Sequence, residues 1–200
     1  VEYFEADNNP EDENSGKHTM AFTKEVYIER EDFMEVPVKG YHRLYPGNEI
    51  RLKGAYYIKA VSIDKDDEGK ITAVHCTYDP ESRGGETPDG RKVKGTSHWV
   101  SAVYNTKAEV RQYDKLFKAE IPGEATGNYL DDINPDSLIV IKGAYVEEEA
   151  GKAKVGDYLQ FVRNGYYCLD SKDSTPEHMV FNRTVTLKDS WSKMKAKMGI

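Results

Sequence analysis

Residues 41–60, YHRLYPGNEIRLKGAYYIKA, contain the pattern that decides the fold class. In the second half of this stretch, apolar residues such as Ile50 and Leu52 alternate with cationic residues such as Arg51 and Lys53. Successive side chains of a β-strand point to opposite faces of the sheet. The alternation therefore predicts a strand over residues 49–59, with one face in the core and one largely cationic face.

Arg43 precedes this strand, and Pro46-Gly47 between them predicts a turn. A hairpin at that turn would bring Arg43 near the cationic face. Guanidinium groups held beside exposed tyrosines suit phosphates and base edges of nucleic acids. A solvated strand face explains most Lys/Arg alternations equally well, so this stretch alone leaves both interpretations open.

The composition excludes a general nucleic-acid binder, because the 200 residues carry a net charge of −7. The acids are unevenly placed, however, and the first segment and residues 147–149 hold two dense blocks of them. Local charge governs a site once separations exceed a Debye length of about 8 Å, so one face of the protein can still bind RNA. No apolar run approaches the ~20 residues of a membrane span, and no signal peptide is present. We therefore expect a cytoplasmic protein.

Short strand patterns separated by Gly- and Pro-rich turns recur along the chain and predict a mainly all-β fold. We expect a first region over residues 1–120, with an acidic lead-in over residues 1–23, and a second region over residues 121–200. A capping-box pattern at Thr106 and Glu109 followed by an apolar stripe predicts one helix that extends to Phe117. The tail from Leu187 to Gly199 predicts a second short helix.

Motifs for catalysis, cofactors and metals do not stand out in the sequence. No phosphate-binding P-loop or GxGxxG follows a predicted strand, and the five histidines are isolated from one another. No Ser, His and acid grouping has the signature of a nucleophile elbow. We therefore predict no catalytic residue, no bound metal and no cofactor in this chain.

Four long blocks of the sequence closely resemble the end of glutaminyl-tRNA synthetases. They are YHRLYPGNEIRLKGAYYIK, HCTYDPESRGGETPDGRKVKGTSHWVSA, AEVRQYDKLF and YLQFVRNGYYCLDSKDSTPEHMVFNRTVTLKDSW. The resemblance runs from about Asn8 to Trp191, and it implies the C-terminal anticodon-binding region of such a synthetase, of the bacterial type. That region consists of two small antiparallel β-barrels of the ribosomal-protein-like anticodon-binding type, which can exchange strands, together with one or two short helices.

The resemblance also implies a role for individual residues. Arg43 would face the third anticodon base, and Arg51 and Lys53 would face the first. Gln160 and Arg163 would face the central uracil. Pro10 would line the pocket of that uracil, and His42 would lie beside Arg43 in the same tRNA-binding surface.

Two positions depart from the family pattern. Lys53 stands where arginine is common, and lysine keeps the charge but loses the planar fork that binds a base edge through two hydrogen bonds. His42 stands where a lysine can occur, and it contributes charge only when protonated, with an unperturbed pKa of about 6.5. In addition, Gln160 and Arg163 are three apart and would face opposite sides of a regular strand, so a bulge or the Asn164-Gly165 turn must redirect one of them.

The expected partners are the anticodon loop of glutamine tRNA and an upstream catalytic domain of the same protein, in a monomer without membrane association. ATP and magnesium would bind that catalytic domain, which ligates glutamine to its tRNA and is not in this chain. Two alternatives remain: the same appendage of a eukaryotic or archaeal-type glutamyl-tRNA synthetase, and an interaction barrel that binds no RNA.

Overall fold

The computed structural model describes residues 1–187, and they form an almost entirely β structure. Contacts between Cα atoms divide the chain into two compact units, which we call unit 1 (Val1–Asn105) and unit 2 (Thr106–Ile200). The boundary that the sequence predicts after residue 120 remains a prediction. Among residues 1–187, no helix is long and apolar enough to cross a membrane.

Unit 1 is built from three small sheets. Their strands are β1 (Glu2–Asp7), β2 (Lys17–Phe22), β3 (Val26–Tyr27), β4 (Glu49–Leu52), β5 (Tyr57–Lys65), β6 (Ile71–Asp79), β7 (Gly95–Ser97) and β8 (Val100–Ser101). The main sheet has the order β6-β5-β4-β7, while β1 pairs with β2 and β3 with β8. The core beneath these sheets combines aliphatic and aromatic side chains, namely Phe4, Phe33, Leu44, Ile50, Leu52, Ala55, Tyr56, Ile58, Ala60 and Trp99.

Unit 2 contains one five-stranded sheet with the order β10-β9-β13-β12-β11. Its strands are β9, which begins at the last residue of unit 1 (Asn105–Tyr113), β10 (Leu138–Glu147), β11 (Tyr158–Phe161), β12 (Gly165–Leu169) and β13 (Met179–Thr186). The core lies on one face of this sheet and is formed by Ala108, Val110, Val146, Tyr167, Leu169, Met179 and Phe181.

The mainly all-β prediction is confirmed, but the sheets differ from the expected antiparallel barrels. None of the sheets formed by residues 1–187 closes on itself. Two pairings are parallel: β4 pairs with β7, and β9 pairs with β13. These pairings join strands that are distant in sequence, and the local patterns that predicted hairpins carry no information about them.

The predicted helix from Thr106 to Phe117 is wrong, because this segment forms strand β9. Within it, Ala108 and Val110 are buried, whereas Glu109 and Arg111 point to the other face and form an ion pair at 2.7 Å. The side chains thus follow the two-residue period of a strand, and pairing with β13 outweighs the local capping signal. The helical segments of residues 1–187 are short 3-10 turns, Glu13–Ser15, Arg30–Asp32, Pro80–Ser82, Tyr129–Asp132 and Glu148–Lys152. The predicted helix from Leu187 to Gly199 lies outside the described residues.

The continuous strand predicted over residues 49–59 is also wrong, because the chain reverses direction between β4 and β5. The amide of Leu52 donates to the carbonyl of Tyr56 at 2.8 Å, and Gly54 has a φ of 70°, which glycine adopts without steric cost. Ala55 and Tyr57, expected on the cationic face, are buried. The alternation in sequence therefore spans a hairpin, and Arg51 and Lys53 belong to its first arm and its turn.

Candidate nucleic-acid interface

A five-residue segment of unit 1, Gly95–Trp99, supports four of the predicted tRNA-binding residues. It comprises β7 and the two residues that follow it, and we call it the β7 segment. β7 is the edge strand of the main sheet and pairs in parallel with β4, which places Thr96 opposite Arg51 and Ser97 opposite Leu52.

Arg51 is held by neutral oxygens. Its Nε and Nη2 atoms lie 3.3 and 3.1 Å from the hydroxyl oxygen of Thr96, and its Nη1 donates to the carbonyl of Gly85 at 3.4 Å. Gly85 has a φ of 94°, and a Cβ at this position would lie 2.9 Å from Cδ of Arg51. Within residues 1–187, no carboxylate pairs with Arg51 in the contacts that the structure gives it, so the guanidinium is oriented while its positive charge is not neutralised.

Arg43 is held by a buried carboxylate instead. Its Nη1 donates to Oδ1 of Asp32 at 2.8 Å, and the other oxygen of Asp32 accepts a hydrogen bond from the hydroxyl of Ser97. The side chain of Asp32 is 0% exposed and that of Arg43 is 17% exposed. Asp32 therefore fixes the guanidinium and offsets much of its charge, so Arg43 can act through the direction of its donors more than through its field.

The two side chains of β7 that hold Arg51 and Arg43 point to opposite faces of the strand. Thr96 and Ser97 are neighbours on the strand, so their side chains point to opposite faces. Arg51 is bonded to Thr96, and Arg43 is linked through Asp32 to Ser97. The two supports therefore lie on opposite faces of this edge strand, and whether the two guanidinium groups line one RNA-binding surface stays a prediction.

The backbone of Lys53 is fixed by the same segment, while its side chain is exposed. The amide of Lys53 donates to the carbonyl of Ser97 at 2.9 Å, and the indole Nε1 of Trp99 donates to the carbonyl of Lys53 at 2.9 Å. Trp99 is itself buried in the core of unit 1. The Lys53 ammonium therefore extends from an anchored turn.

His42 and Pro10 are both exposed residues of unit 1. The backbone of Gly95 packs closely on His42, because a Cβ added to Gly95 would lie 2.4 Å from the carbonyl oxygen of His42. Pro10 lies in the turn between β1 and β2. The β7 segment thus supports His42, Arg43, Arg51 and Lys53, whereas Pro10 belongs to a different element of the unit.

The positive charge of Arg91 is neutralised within the protein, because three carboxylates surround its guanidinium. Its guanidinium binds both oxygens of Glu49 at 3.0 Å, Asp79 at 2.5 Å and Asp89 at 2.9 Å. The hydrogen bond from Arg91 holds the pKa of Asp79 below its usual range. These contacts attach the loop before β7 to the main sheet, and the carbonyl of Gly85 that orients Arg51 belongs to that loop.

In unit 2, Gln160 and Arg163 occupy the hairpin that joins β11 to β12. Gln160 is exposed on the edge strand β11 and faces Tyr166 across the β11–β12 pair. β11 ends at Phe161, and Arg163 lies in the following turn with a left-handed φ of 71°. A turn thus follows Gln160, and the expectation that it redirects one of the two side chains stays a prediction.

A second group of charges in unit 2 has a structural role. One oxygen of Asp170 accepts from the amides of Lys172 and Asp173 at 2.8 Å each, and the other accepts from the side chain of Asn182 at 2.6 Å. These hydrogen bonds lower the pKa of Asp170 to about 2. Arg111 binds Asp173 at 2.6 Å beside them, so the group fastens the turn after β12 to the central strands. Among residues 1–187, no group of three or more His, Cys, Asp or Glu side chains is arranged to hold a metal ion.

Comparison with known protein families assigns the chain. Residues 1–79 and 96–170 each match a family described as class I tRNA synthetases (E and Q), anti-codon binding domain. The chain belongs to these anticodon-binding domains. The β7 segment overlaps the start of the second matched range, which begins at Thr96, and the β11–β12 hairpin lies near its end.

Curated relatives of this anticodon-binding domain carry the name glutamine–tRNA ligase. The chain is 49% identical to the one from Vibrio vulnificus over 197 residues, 48% identical to that of Clostridium perfringens over 190, and 48% identical to that of Rhodopirellula baltica over 199. These alignments cover 95–98% of the chain but only 33–35% of each relative. The chain thus spans about a third of the length of the relatives it matches.

None of the residues that hold these candidate side chains in place stands out in the sequence of the anticodon-binding domain. Asp32 follows Glu29 and Glu31 in a short charged run, yet it is fully buried. Thr96 and Ser97 belong to a block that resembles the family, but nothing in their local pattern shows what they contact. Only the parallel pairing of β7 with β4 reveals that they hold the two arginines.

Proposed function

We propose that this chain reads the anticodon of glutamine tRNA as part of a glutamine–tRNA ligase. The observation that carries the proposal is the β7 segment, which supports the three cations Arg43, Arg51 and Lys53, together with His42, in a protein whose net charge is −7. Membership of the anticodon-binding family and the names of the relatives support the same conclusion. Supported cations in an acidic protein favour a local and selective RNA site over general attraction to nucleic acid.

The bases of the anticodon are divided among the candidate residues. Arg43 binds the third base, while Arg51 and Lys53 bind the first. An unpaired base exposes its hydrogen-bonding edge, which arginine donors and amide groups can bind. Arg51 combines an oriented guanidinium with undiminished charge, so we expect it to contribute most to affinity in unit 1.

The central uracil is bound by Gln160 and Arg163, and Pro10 lines its pocket. An amide offers both a donor and an acceptor, which suits the mixed edge of uracil. The left-handed turn places Arg163 beyond the end of β11, where it no longer follows the alternation of the strand. His42 adds charge to the surface around Arg43 when its imidazole is protonated.

The activity of the longer protein follows from the same proposal. Glutamine is ligated to tRNA with ATP and magnesium bound in a catalytic domain upstream, and the present chain takes no part in that chemistry. The chain spans about a third of the relatives, which leaves room for such a domain. The protein acts as a monomer in the cytoplasm.

The proposal is tested by binding of the 200-residue chain to an anticodon stem-loop of glutamine tRNA, with each anticodon base changed in turn. We expect each change to weaken binding by about 1–3 kcal/mol, the usual value of a good base contact. Arg51→Ala should weaken binding and also reduce discrimination at the first base. Lys70→Ala, which removes an exposed cation from the β5–β6 turn, is the matched control and should preserve discrimination. Equal binding of all the stem-loops by the wild-type chain would refute the proposal.

A second candidate function is recognition of glutamate tRNA, because the matching family includes synthetases for both amino acids. Competition between transcripts of glutamine and glutamate tRNA separates the two candidates. A titration with salt then tests whether RNA is bound through its phosphates at all. Binding should weaken with a log–log slope of about −0.7 for each phosphate neutralised on a single strand. If the chain instead binds a partner other than RNA, no binding of RNA will be detected at any salt concentration.

A further inference from the structure

The hairpin that carries Gln160 has two faces of different character. One face is part of the core, where the rings of Phe161 and Tyr167 stack with centroids 4.3 Å apart. The other face is open to solvent and presents Tyr158, Gln160 and Tyr166, because residues opposite each other on paired strands share a face. The exposed fractions of Tyr158 and Tyr166 are 70% and 41%.

Tyr166 is the aromatic residue directly opposite Gln160. Side chains in such a pair have Cβ atoms about 5 Å apart, which places the ring beside any group bound by the amide. Between Tyr166 and Tyr167 the pairing of β12 with β13 shifts register, and the hydroxyl of Thr184 donates to the carbonyl of Tyr166 at 3.1 Å. Such bulges redirect side chains and are common next to binding sites.

The occupant that fits this face is an unpaired nucleobase. The hairpin lies in the range that matches the anticodon-binding family, and Arg163 supplies a cation at its tip. Proteins that bind single-stranded RNA stack bases on exposed aromatic rings and read their edges with nearby polar groups. Among residues 1–187, the hydroxyl of Tyr166 has no hydrogen-bond partner in the contacts that the structure gives it, so no contact of that kind holds the ring away from a base.

We propose that the ring of Tyr166 stacks on the same anticodon base whose edge is bound by Gln160. This inference rests on the proposed function and adds to it the residue that binds the face of the base. Gln160 then selects the base by its hydrogen bonds, and Tyr166 supplies affinity that does not depend on base identity.

The test uses the 200-residue chain and two anticodon stem-loops, one intact and one abasic at the central position. Stacking of a base on an aromatic side chain is worth about 1–3 kcal/mol, so Tyr166→Leu should weaken binding of the intact stem-loop by about 5- to 150-fold. The same substitution should change binding of the abasic stem-loop by less than about threefold, because the stacked group is missing. Tyr166→Phe should bind like the wild type, and Tyr129→Leu serves as a control on an exposed tyrosine in the same unit.

The outcomes separate this inference from the proposed function. If the wild type discriminates among stem-loops while Tyr166→Leu binds the intact one normally, only the stacking inference is overturned. A loss in Tyr166→Leu that is equal for the intact and abasic stem-loops also overturns it, since the effect would then be structural. A wild-type chain that binds neither stem-loop selectively overturns the proposed function and the stacking inference together. Unfolding curves of the variants show whether each substitution preserves the fold.

Discussion

Replacing Arg43 and Arg51 by alanine should have very different effects on the stability of unit 1. Arg43 is paired with Asp32, whose side chain is 0% exposed, whereas Arg51 is bonded only to neutral oxygens in the contacts given for residues 1–187. Arg43→Ala therefore leaves a buried carboxylate without its main partner. Arg51→Ala leaves a hydroxyl and a carbonyl that water can reach.

The expected magnitudes follow from these partners. Breaking a buried ion pair by removal of one member costs about 3–5 kcal/mol. Arg43 is 17% exposed and Ser97 still donates to Asp32, so we expect a somewhat smaller loss of about 2–4 kcal/mol in the free energy of unfolding. The hydrogen bonds of Arg51 measure 3.1–3.4 Å and join it to uncharged groups, and we expect Arg51→Ala to cost about 1 kcal/mol or less.

Urea unfolding followed by tryptophan fluorescence measures the difference. Trp99 is buried in the core of unit 1 and reports on that unit. The chain has two tryptophans, so a Trp191→Phe background leaves Trp99 as the only tryptophan, which can be excited selectively over the tyrosines. The midpoint should fall much further for Arg43→Ala than for Arg51→Ala, with the slope unchanged.

A double-mutant cycle supplies the control. Asp32→Asn removes the charge that Arg43 stabilises, so Arg43→Ala should cost at least about 1.5 kcal/mol less in that background than in the wild type. Equal losses of unfolding free energy in Arg43→Ala and Arg51→Ala would refute the contacts assigned to the two arginines. A cycle with no coupling between Arg43 and Asp32 would refute them as well. If the reasoning holds, a loss of tRNA binding in Arg43→Ala must be corrected for unfolding before it is attributed to the third base.

Three further predictions concern other contacts. Gly95→Ala places a Cβ 2.4 Å from the backbone carbonyl oxygen of His42 and should lower the free energy of unfolding of unit 1 by more than about 2 kcal/mol. An unchanged urea midpoint would mean that β7 lies further from His42 than the structure shows. Thr96→Val keeps the shape of the side chain but removes the hydroxyl that accepts from Arg51, so affinity for the stem-loop should fall about 3- to 10-fold. Thr96→Ser keeps a hydroxyl and should bind like the wild type. A valine variant with full affinity would contradict the role of Thr96 in positioning Arg51. The folded pKa of Asp170, about 2, lies below the ordinary value of 3.8, so its contribution of about 2 kcal/mol is present above pH 4 and is lost as the pH falls towards 2. Urea midpoints between pH 6 and 2 should therefore decline less steeply in Asp170→Asn than in the wild type, and parallel profiles would contradict this.

The fold class could be predicted from the sequence because it depends on short-range information. Period-two alternation and turn residues are signals of this kind, and they are enough to predict a mainly β chain. The same local information failed at β9, where Thr106 and Glu109 imitate a helix start. There the strand is selected by its parallel partner β13, about 70 residues further along the chain.

In the candidate site, too, the sequence predicts some features and only the three-dimensional contacts reveal the others. Resemblance to a family selected Arg43, Arg51, Lys53, Gln160 and Arg163 as candidates. It could not show that Asp32 offsets the charge of one arginine while the other is held by uncharged groups, because this difference depends on which side chains meet across β7. A sequence pattern can thus identify a candidate cation, but only the packing around it determines how much of its charge is available to bind RNA.

The parallel pairing of β9 with β13 also has a consequence for the order in which the protein matures. β9 is an interior strand of its sheet, yet one of its two neighbours is the last described strand of the chain. During translation the ribosome must deliver β13 before the hydrogen bonds along that side of β9 can form, and long-range closures of this kind are slow. Until then the edge of β9 that later pairs with β13 has unpaired backbone groups, so we expect chaperone dependence and premature aggregation to be concentrated in unit 2.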